Sequence, residues 1–504
     1  MTVLIVGAGP TGLALALWLT RLGVAVRIID KTAEPGTTSR ALAVQARTLE
    51  FYQQLGFADQ VVDAGLEIAG INLWSRGKQV THVPLTGLGA GLSRFSFPLI
   101  YPQDAHEKLL IAQLASLGVH VERETTLLRF REHATGVSAT IGHADGREEE
   151  MEAAYIAGCD GAHSTVREAL GIGFPGGTYS GYFYVADVEA GNQAYPNQIS
   201  VDIDDGTFLA IFPLTSSGHL RLIGTAPEQH GRALTFDDVK GRAVDSMQLD
   251  IAAVNWFSTY RVHHRVADHF RSGRAFLLGD AAHVHSPVGG QGMNTGIGDA
   301  VNLSWKLASV LNGKAASSLL ASYEPERIAF ARLLVATTDR AFTVVTDPSG
   351  WANFVRLRLF PLVAPWITRI PAVRRRLFRT VSQLIVSYRD SALSAGAAGE
   401  VHGGDRLPWV DLGGGRDNFA PLQSLGWQVH IYGHVPDALR AECGALGLNV
   451  HGFDWEPKMA EAGLKQAALY LVRPDGYVGL ADEQADPATL RQYVETVRNI
   501  RSHS

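Results

Sequence analysis

The sequence predicts an α/β protein in which a parallel sheet flanked by helices is interleaved with a largely antiparallel sheet. Three observations predict it. The chain opens with an apolar run, Val3-Leu4-Ile5-Val6, then Gly7-Ala8-Gly9-Pro10-Thr11-Gly12, a helical stretch over 13–22 and a second apolar run over 24–29. Much later, the apolar run Ala275-Phe276-Leu277-Leu278 breaks at Gly279-Asp280 and leads through glycines into a helical pattern. Between about residues 174 and 264, the texture changes to short runs of alternating polarity.

Bulk properties narrow the class. At 504 residues the chain exceeds one ordinary core, so several domains are expected. It is 46% hydrophobic and 19% charged with net charge −6, and no basic run suits nucleic acid. Two cysteines, Cys159 and Cys443, cannot build a disulfide framework. With the first strand expected from Thr2, no signal or transit segment is expected. The apolar stretch 351–370 is broken by Arg356, Arg358, Pro361 and Pro365, short of a membrane span. A reducing cytoplasm is the expected location.

In the first segment, strand, glycine turn, helix and second strand form a βαβ unit ending in Asp30, with Lys31 beside it. Gly7 suits the tight turn, Gly9 lets a pyrophosphate approach the backbone, and Gly12 lets helix and strand pack closely. The helix start offers unpaired N–H groups to phosphates. Asp30 is placed to accept ribose hydroxyls. The motif reads as a site for an adenosine dinucleotide and does not separate NAD from FAD.

In the second segment, a carboxylate at a strand end suits the hydroxyls of a polyol chain, while a simple helix cap is the alternative for Asp280. After Pro287 come Gly289, Gly290, Gly292 and Gly296, then a helix to about Asn312 with Ile297, Val301, Trp305 and Ala308 on one side. Its N-terminus, at Gly292-Met293-Asn294, can stabilise negative charge on a ring held there.

Three motifs now stand in order: Gly7-x-Gly9-x-x-Gly12; Cys159-Asp160-Gly161-Ala162-His163-Ser164-x-Val166-Arg167; and Gly279-Asp280-Ala281-Ala282-His283. Together they resemble the signatures of single-component FAD-dependent aromatic hydroxylases, group A of the flavoprotein monooxygenases, with the para-hydroxybenzoate hydroxylase fold. The resemblance covers about residues 1–395. It implies a Rossmann-like FAD-binding domain of the GR2 type over 1–67, 99–173 and 265–340, and a substrate-binding β-sheet domain over 68–98 and 174–264. A helical segment over 341–395 and a thioredoxin-like C-terminal domain over 401–504 complete the expected organisation, with the small-residue stretch 391–400 as linker.

The resemblance also carries roles. Asp160 serves FAD and NAD(P)H binding by holding a loop, with a plain turn as the alternative. Arg40, in a segment expected to open a helix containing Gln45, Arg47 and Glu50, lies near the pyrophosphate. Gln103 contacts the ribityl-phosphate region, and Leu127, Gly290 and Pro287 line the cofactor; Arg40 and Gln103 could equally be solvated or capping residues. No second Gly-x-Gly-x-x-Gly follows a strand, as expected where NADPH or NADH docks transiently as reductant. His163, His283 and His285 lack metal-ligand spacing, so no metal is expected.

For the substrate, Trp74, Phe97, Tyr182, Phe212, Pro213, His219 and Arg221 are candidates, each with ordinary core packing as the alternative. Pro287 and Arg221 are the candidates near the ring or substrate, and no general base is identified. The C-terminal region, with Gly404-Asp405-Arg406 and the segment 471–478, resembles that of phenol and polyketide hydroxylases. Lone Cys443 cannot support dithiol chemistry, so packing or a homodimer contact is the expected role of this domain. The implied activity is an FAD monooxygenase. NAD(P)H reduces the flavin, O2 adds at C4a, and the hydroperoxide hydroxylates a phenolic or polycyclic polyketide-like ring. Epoxidation, Baeyer–Villiger insertion, antibiotic inactivation and a non-catalytic flavin-binding role remain open. Substrate identity does too.

Overall fold

The computed structural model describes residues 1–36, 41–75, 77–191, 197–204, 207–215, 218–226, 233–286, 290–346 and 370–498. A six-stranded sheet runs Arg271–Ser272, Ala275–Leu277, Tyr155–Gly158, Val3–Val6, Val26–Ile29, Val121–Glu122. All of its neighbours are parallel except the short edge pair at Arg271–Ser272. The two strands at its centre, Val3–Val6 and Tyr155–Gly158, are buried throughout, which is why they read as continuous apolar runs. Parallel pairing puts the carboxyl ends of four strands on one edge. Gly7, Asp30, Cys159-Asp160 and Gly279-Asp280 therefore converge there, although they are far apart in sequence.

The helix Pro10–Arg21 covers this sheet, with Gly9 as extended N-cap and Pro10 in its first turn. It packs along Gly292–Leu311, which is buried almost all round from Asn294 to Ala308. The expected helix after Arg40 begins later, at Ala46. The short strand Ala43–Val44 precedes it, paired with Leu99–Ile100. Arg40 and Pro287 lie outside the described residues.

An eight-stranded sheet runs His283–Val284, Ile251–Val266, Gly176–Ala190, His219–Ala226, Thr207–Pro213, Gln198–Asp204, Gly70–Ser75, Lys78–Pro84. It is antiparallel except where Gln198–Asp204 meets Gly70–Ser75. One face joins the core of the parallel-sheet region through Val185 and Ile223. The other forms a separate cluster of Tyr184, Leu209, Ile211 and Leu222 with Val239, Ala243 and Met247. Because His283–Val284 is its edge strand, the Gly279-Asp280 segment feeds straight into this sheet.

The C-terminal sheet runs Val401–His402, Ala395–Ala398, Val478–Asp482, Leu469–Val472, Gln428–Tyr432, Asn449–Phe453. The stretch read as a linker thus holds the strand Ala395–Ala398, parallel to Val478–Asp482. Its small residues have a packing reason: a β-carbon at Gly396, φ +70°, would lie 2.1 Å from the Ala481 carbonyl oxygen.

The two regions meet over buried charge. Arg473 donates to both oxygens of Glu326 (2.9 and 3.0 Å) and to Asp475, Lys306 donates to Glu326 at 2.8 Å, and Trp305 Nε1 donates to Asp475 at 2.9 Å. Two cations and two carboxylates balance, so the group is tolerable only while complete. Burial lowers the Lys306 ammonium to about 8, with Glu326 opposing the drop.

Candidate functional site

The glycine turn is fixed by backbone. Gly7 has φ +103°, and a β-carbon there would stand 2.3 Å from the Cys159 carbonyl oxygen. One at Gly12 would stand 2.0 Å from the Gly7 oxygen. A β-carbon at Gly9 meets nothing within 4 Å, so the loop is open on the side where a pyrophosphate approaches. The two distant glycine segments touch: β-carbons at Gly279 and Gly296 would lie 2.6 and 2.2 Å from Thr11 Oγ1.

Asp30 Oδ2 accepts from the Ala8 amide at 2.7 Å, and Oδ1 accepts from the Thr32 amide and hydroxyl at 2.8 and 2.6 Å. It fixes the glycine loop from the neighbouring strand end, with Lys31 exposed beside it. Gln103 donates to Glu107 at 2.8 Å, and Glu107 also accepts from the Gly36 amide at 3.1 Å. Burial raises the Glu107 carboxyl, against the lowering effect of these donors. Leu127 is buried in Thr126–His133.

Asp160 accepts from the Val166 amide at 3.2 Å, while its Oδ1 is buried with no partner among the described residues. Burial raises its carboxyl. Ser164 caps the short helix Thr165–Ala169, and Arg167 from that helix donates to the carbonyls of Ala162 (2.8 Å) and Ala281 (3.0 Å). Arg167 thus ties the second motif to the third.

The third motif is held from behind. Asp299, on Gly292–Leu311, accepts from the Gly279 amide at 2.9 Å, lies 2.8 Å from His283 Nε2 and accepts from Arg327 Nε at 2.6 Å. Burial alone would raise its carboxyl. Arg327, His283 and the Gly279 amide outweigh that and hold it below its usual range. His283 is therefore a structural partner of Asp299. Asp280 itself is exposed in the turn Gly279–Ala281. Asn294 spends its side chain within the protein: Oδ1 accepts from Gln45 N (2.9 Å) and Thr48 Oγ1 (2.8 Å), and Nδ2 donates to the Ala43 and Gly290 carbonyls, both at 2.9 Å. Its side chain is thus an anchor between two helix starts. The Asn294 side chain is therefore taken up within the protein, and its backbone is what it can offer a ligand. Gly290 takes φ +61°.

Strand alternation divides the substrate candidates. Phe212 opposes Arg221, which opposes Asp187, which opposes Trp256, all on the face toward the parallel-sheet core; Phe97 packs against the same core. Trp74, Tyr182 and Pro213 leave the candidate surface. Trp74 packs in the opposite cluster, Tyr182 shares its face with Tyr184 and meets Arg261, and Pro213 opposes Leu220. His219 sits at the exposed strand end, 3.3 Å from Glu189. Sequence reading missed Asp187, Trp256, Asp299 and Arg327. Only Asp299 carried a sequence signal, a carboxylate inside a buried, largely apolar helix; Asp187 and Trp256 line up with Arg221 only through strand pairing, and Arg327 reaches Asp299 from a separate helix.

Arg221 is 3% exposed and donates to both oxygens of Asp187 at 2.7 Å, leaving Nη1 buried without a partner among the described residues. Among the described residues, no helix is long and apolar enough to cross a membrane, and no group of three or more His, Cys, Asp or Glu could hold a metal. The open face at Gly9, the tight glycine contacts and the orphaned Asp160 oxygen suit a bound FAD.

The comparisons agree with this geometry. Residues 1–338 match the family model described as an FAD binding domain. The 6-methylpretetramide 4-monooxygenase of Streptomyces rimosus is 36% identical over 97% of this chain and 92% of its own. The structure of the anhydrotetracycline hydroxylase OxyS from the same species superposes with TM-score 0.79 at 29% identity, covering 99% of each chain. An aklavinone-11 hydroxylase in complex with FAD and aklavinone gives TM-score 0.79 at 25% identity, also over 99% of each chain. By glycine cradle, topology and similarity alike, the chain belongs to the FAD-binding group A flavoprotein monooxygenases and is an FAD-dependent aromatic hydroxylase.

Proposed function

We propose that this protein hydroxylates a polycyclic aromatic polyketide, and that Arg221 anchors the substrate through an uncharged ring oxygen. The observation that carries the second part is the pairing of Arg221 with Asp187. The pair is neutral, so the free Nη1 offers one buried donor with no net charge. A carboxylate ligand would leave the Asp187 charge uncompensated, whereas a carbonyl or phenolic oxygen would satisfy the orphaned donor without that cost. Phe212 and Trp256 flank the pair and suit a flat aromatic body. Similarity to enzymes named for 6-methylpretetramide and anhydrotetracycline supports a fused-ring substrate.

Gly7, Gly9, Pro10, Thr11 and Gly12 would cradle the FAD pyrophosphate, with Asp30 and Lys31 beside the adenosine end. Gln103 and Asp280 would take the ribityl side, and the Gly292-Met293-Asn294 backbone the ring. Arg40, Leu127, Asp160, Gly279, Gly290 and Pro287 complete the proposed set. Bound FAD supplies the redox chemistry with NADPH or NADH and O2; the chain binds, orients and dehydrates the reactants. The C-terminal β-α-β-α-β-β-α order over 428–498 supports a thioredoxin-like domain without thiol chemistry, since Cys443 is buried and free. We assign it to packing or to a homodimer contact.

The test is NADPH and NADH oxidation by the purified holoenzyme across phenols and fused-ring polyketides, with product mass. Substrate-stimulated oxidation giving a product heavier by one oxygen is expected for fused-ring polyketides. Arg221→Met should raise KM about tenfold, roughly 1.4 kcal/mol, for ring-carbonyl substrates. Stronger turnover of simple carboxylated phenols would overturn the reading.

A further inference from the structure

Resting on the proposed placement of the flavin ring at the Gly292-Met293-Asn294 backbone, we propose that Gln383, outside every recognised motif, is a positioning residue for the flavin: it holds the first turn of Gly292–Leu311 at the angle that FAD binding requires. Gln383 is 4% exposed and follows the helix Pro371–Val381. Its Nε2 donates to the Thr295 hydroxyl at 2.8 Å and to the Gln291 carbonyl at 3.2 Å. Gln291 is the N-cap of the flavin helix, and its carbonyl also accepts from the Thr295 amide and hydroxyl, both at 2.9 Å. The side chain therefore binds the point where that helix begins.

Two features separate this from ordinary packing. Gln383 has φ +59°, a left-handed conformation that costs an L-residue about 1–2 kcal/mol and that glycine would adopt freely. A long amide at such a position points to a need for the side chain. Its neighbour Ser382 also accepts from the Arg47 amide at 3.3 Å, at the start of Ala46–Leu55. That second helix start is the one Asn294 grips through Gln45 and Thr48. Residues 382–383 thus fasten both helix starts from a segment that leads into the C-terminal domain. Arg327 adds a third hold on the same turn, donating to the Thr295 carbonyl at 3.0 Å and to the Tyr388 hydroxyl at 2.9 Å.

Orientation matters because the N–H groups of a helix's first turn carry its positive end, and an anion or a reduced ring gains from them only when they are aimed at it. A glutamine after a basic helix carries no sequence signature.

The experiment uses three variants of the full chain: Gln383→Gly, which relaxes the backbone and removes the amide; Gln383→Asn, which tolerates the left-handed conformation but is too short; and Gln383→Glu, of equal shape without the donor. The readouts are the FAD dissociation constant, the midpoint potential and visible spectrum of bound FAD, and the melting temperature of the FAD-free protein. The expected result is an FAD-free Gln383→Gly protein at least as stable as wild type, with FAD binding about tenfold weaker and a more negative potential in all three variants. FAD affinity within twofold of wild type would overturn the proposal. Losses that track the melting temperature of the FAD-free protein, or failure of all three to fold, would reduce Gln383 to a packing residue and overturn it too.

Discussion

Thr11 Oγ1 lies where a β-carbon of Gly296 would be, 2.2 Å from it, so the helices Pro10–Arg21 and Gly292–Leu311 cross at a contact with room only for hydrogen. This one contact joins the two glycine segments into a single site.

Gly296→Ala should therefore cost about 1–3 kcal/mol by overpacking and loosen FAD retention. Thermal melting and the FAD-to-protein absorbance ratio would measure both. The double variant Thr11→Ala/Gly296→Ala should recover most of each loss, because removing Oγ1 clears the space. Absence of any recovery would show that the contact is not the cause.

Gly7 and Gly9 should respond in opposite ways. Gly7→Ala drives a β-carbon into the Cys159 carbonyl at φ +103° and should destabilise the fold by about 2 kcal/mol or more. Gly9 has an ordinary φ of −73° and open space, so Gly9→Ala should melt like wild type yet bind FAD at least about tenfold more weakly, roughly 1.4 kcal/mol. Parallel denaturation and FAD titration of the two proteins distinguish cradle from scaffold.

Arg473→Met strands Glu326 and Asp475 with only Lys306 to balance them, and should cost about 3–5 kcal/mol in chemical denaturation. Adding Glu326→Gln should restore part of it, since the neutral amide no longer needs a buried cation.

His430 is fully buried, with neither ring nitrogen partnered among the described residues, and burial lowers it to about 3. The unfolded chain takes up this proton below about pH 6.5, the folded protein only near 3. The contribution is thus complete above about 6.5 and is lost as pH falls toward 3, by about 1.4 kcal/mol per pH unit. His430→Phe should remove that slope and raise neutral stability by about 1 kcal/mol by deleting unsatisfied polar atoms. Melting temperature against pH is the measurement. His106, lowered to about 3 by burial, keeps its own slope in the variant.

Much of the fold is legible in the sequence. The apolar runs at Val3–Val6 and Ala275–Leu277 are buried strands, and Gly7, Gly12, Gly279 and Gly296 stand where a β-carbon would come too close to a neighbour. Local chemistry writes such features directly into the chain. The helix expected from the Arg40 segment starts only at Ala46 because Ala43–Val44 pairs as a strand with Leu99–Ile100, far along the sequence. Residues 395–398 looked like a linker for the same reason, since their partner is Val478–Asp482.

FAD was legible only through the family resemblance, while the chain itself carries three ordered motifs at strand ends and helix starts. Those depend on short-range rules of turn, strand and helix start. Packing alone puts Asp299 and Arg327 behind Gly279, makes Asn294 an anchor, turns Arg221 rather than Trp74 inward, and brings Gln383 to the start of Gly292–Leu311. Each of these depends on which face of one element meets which end of another. That is fixed by packing between residues hundreds of positions apart, and no local pattern encodes it.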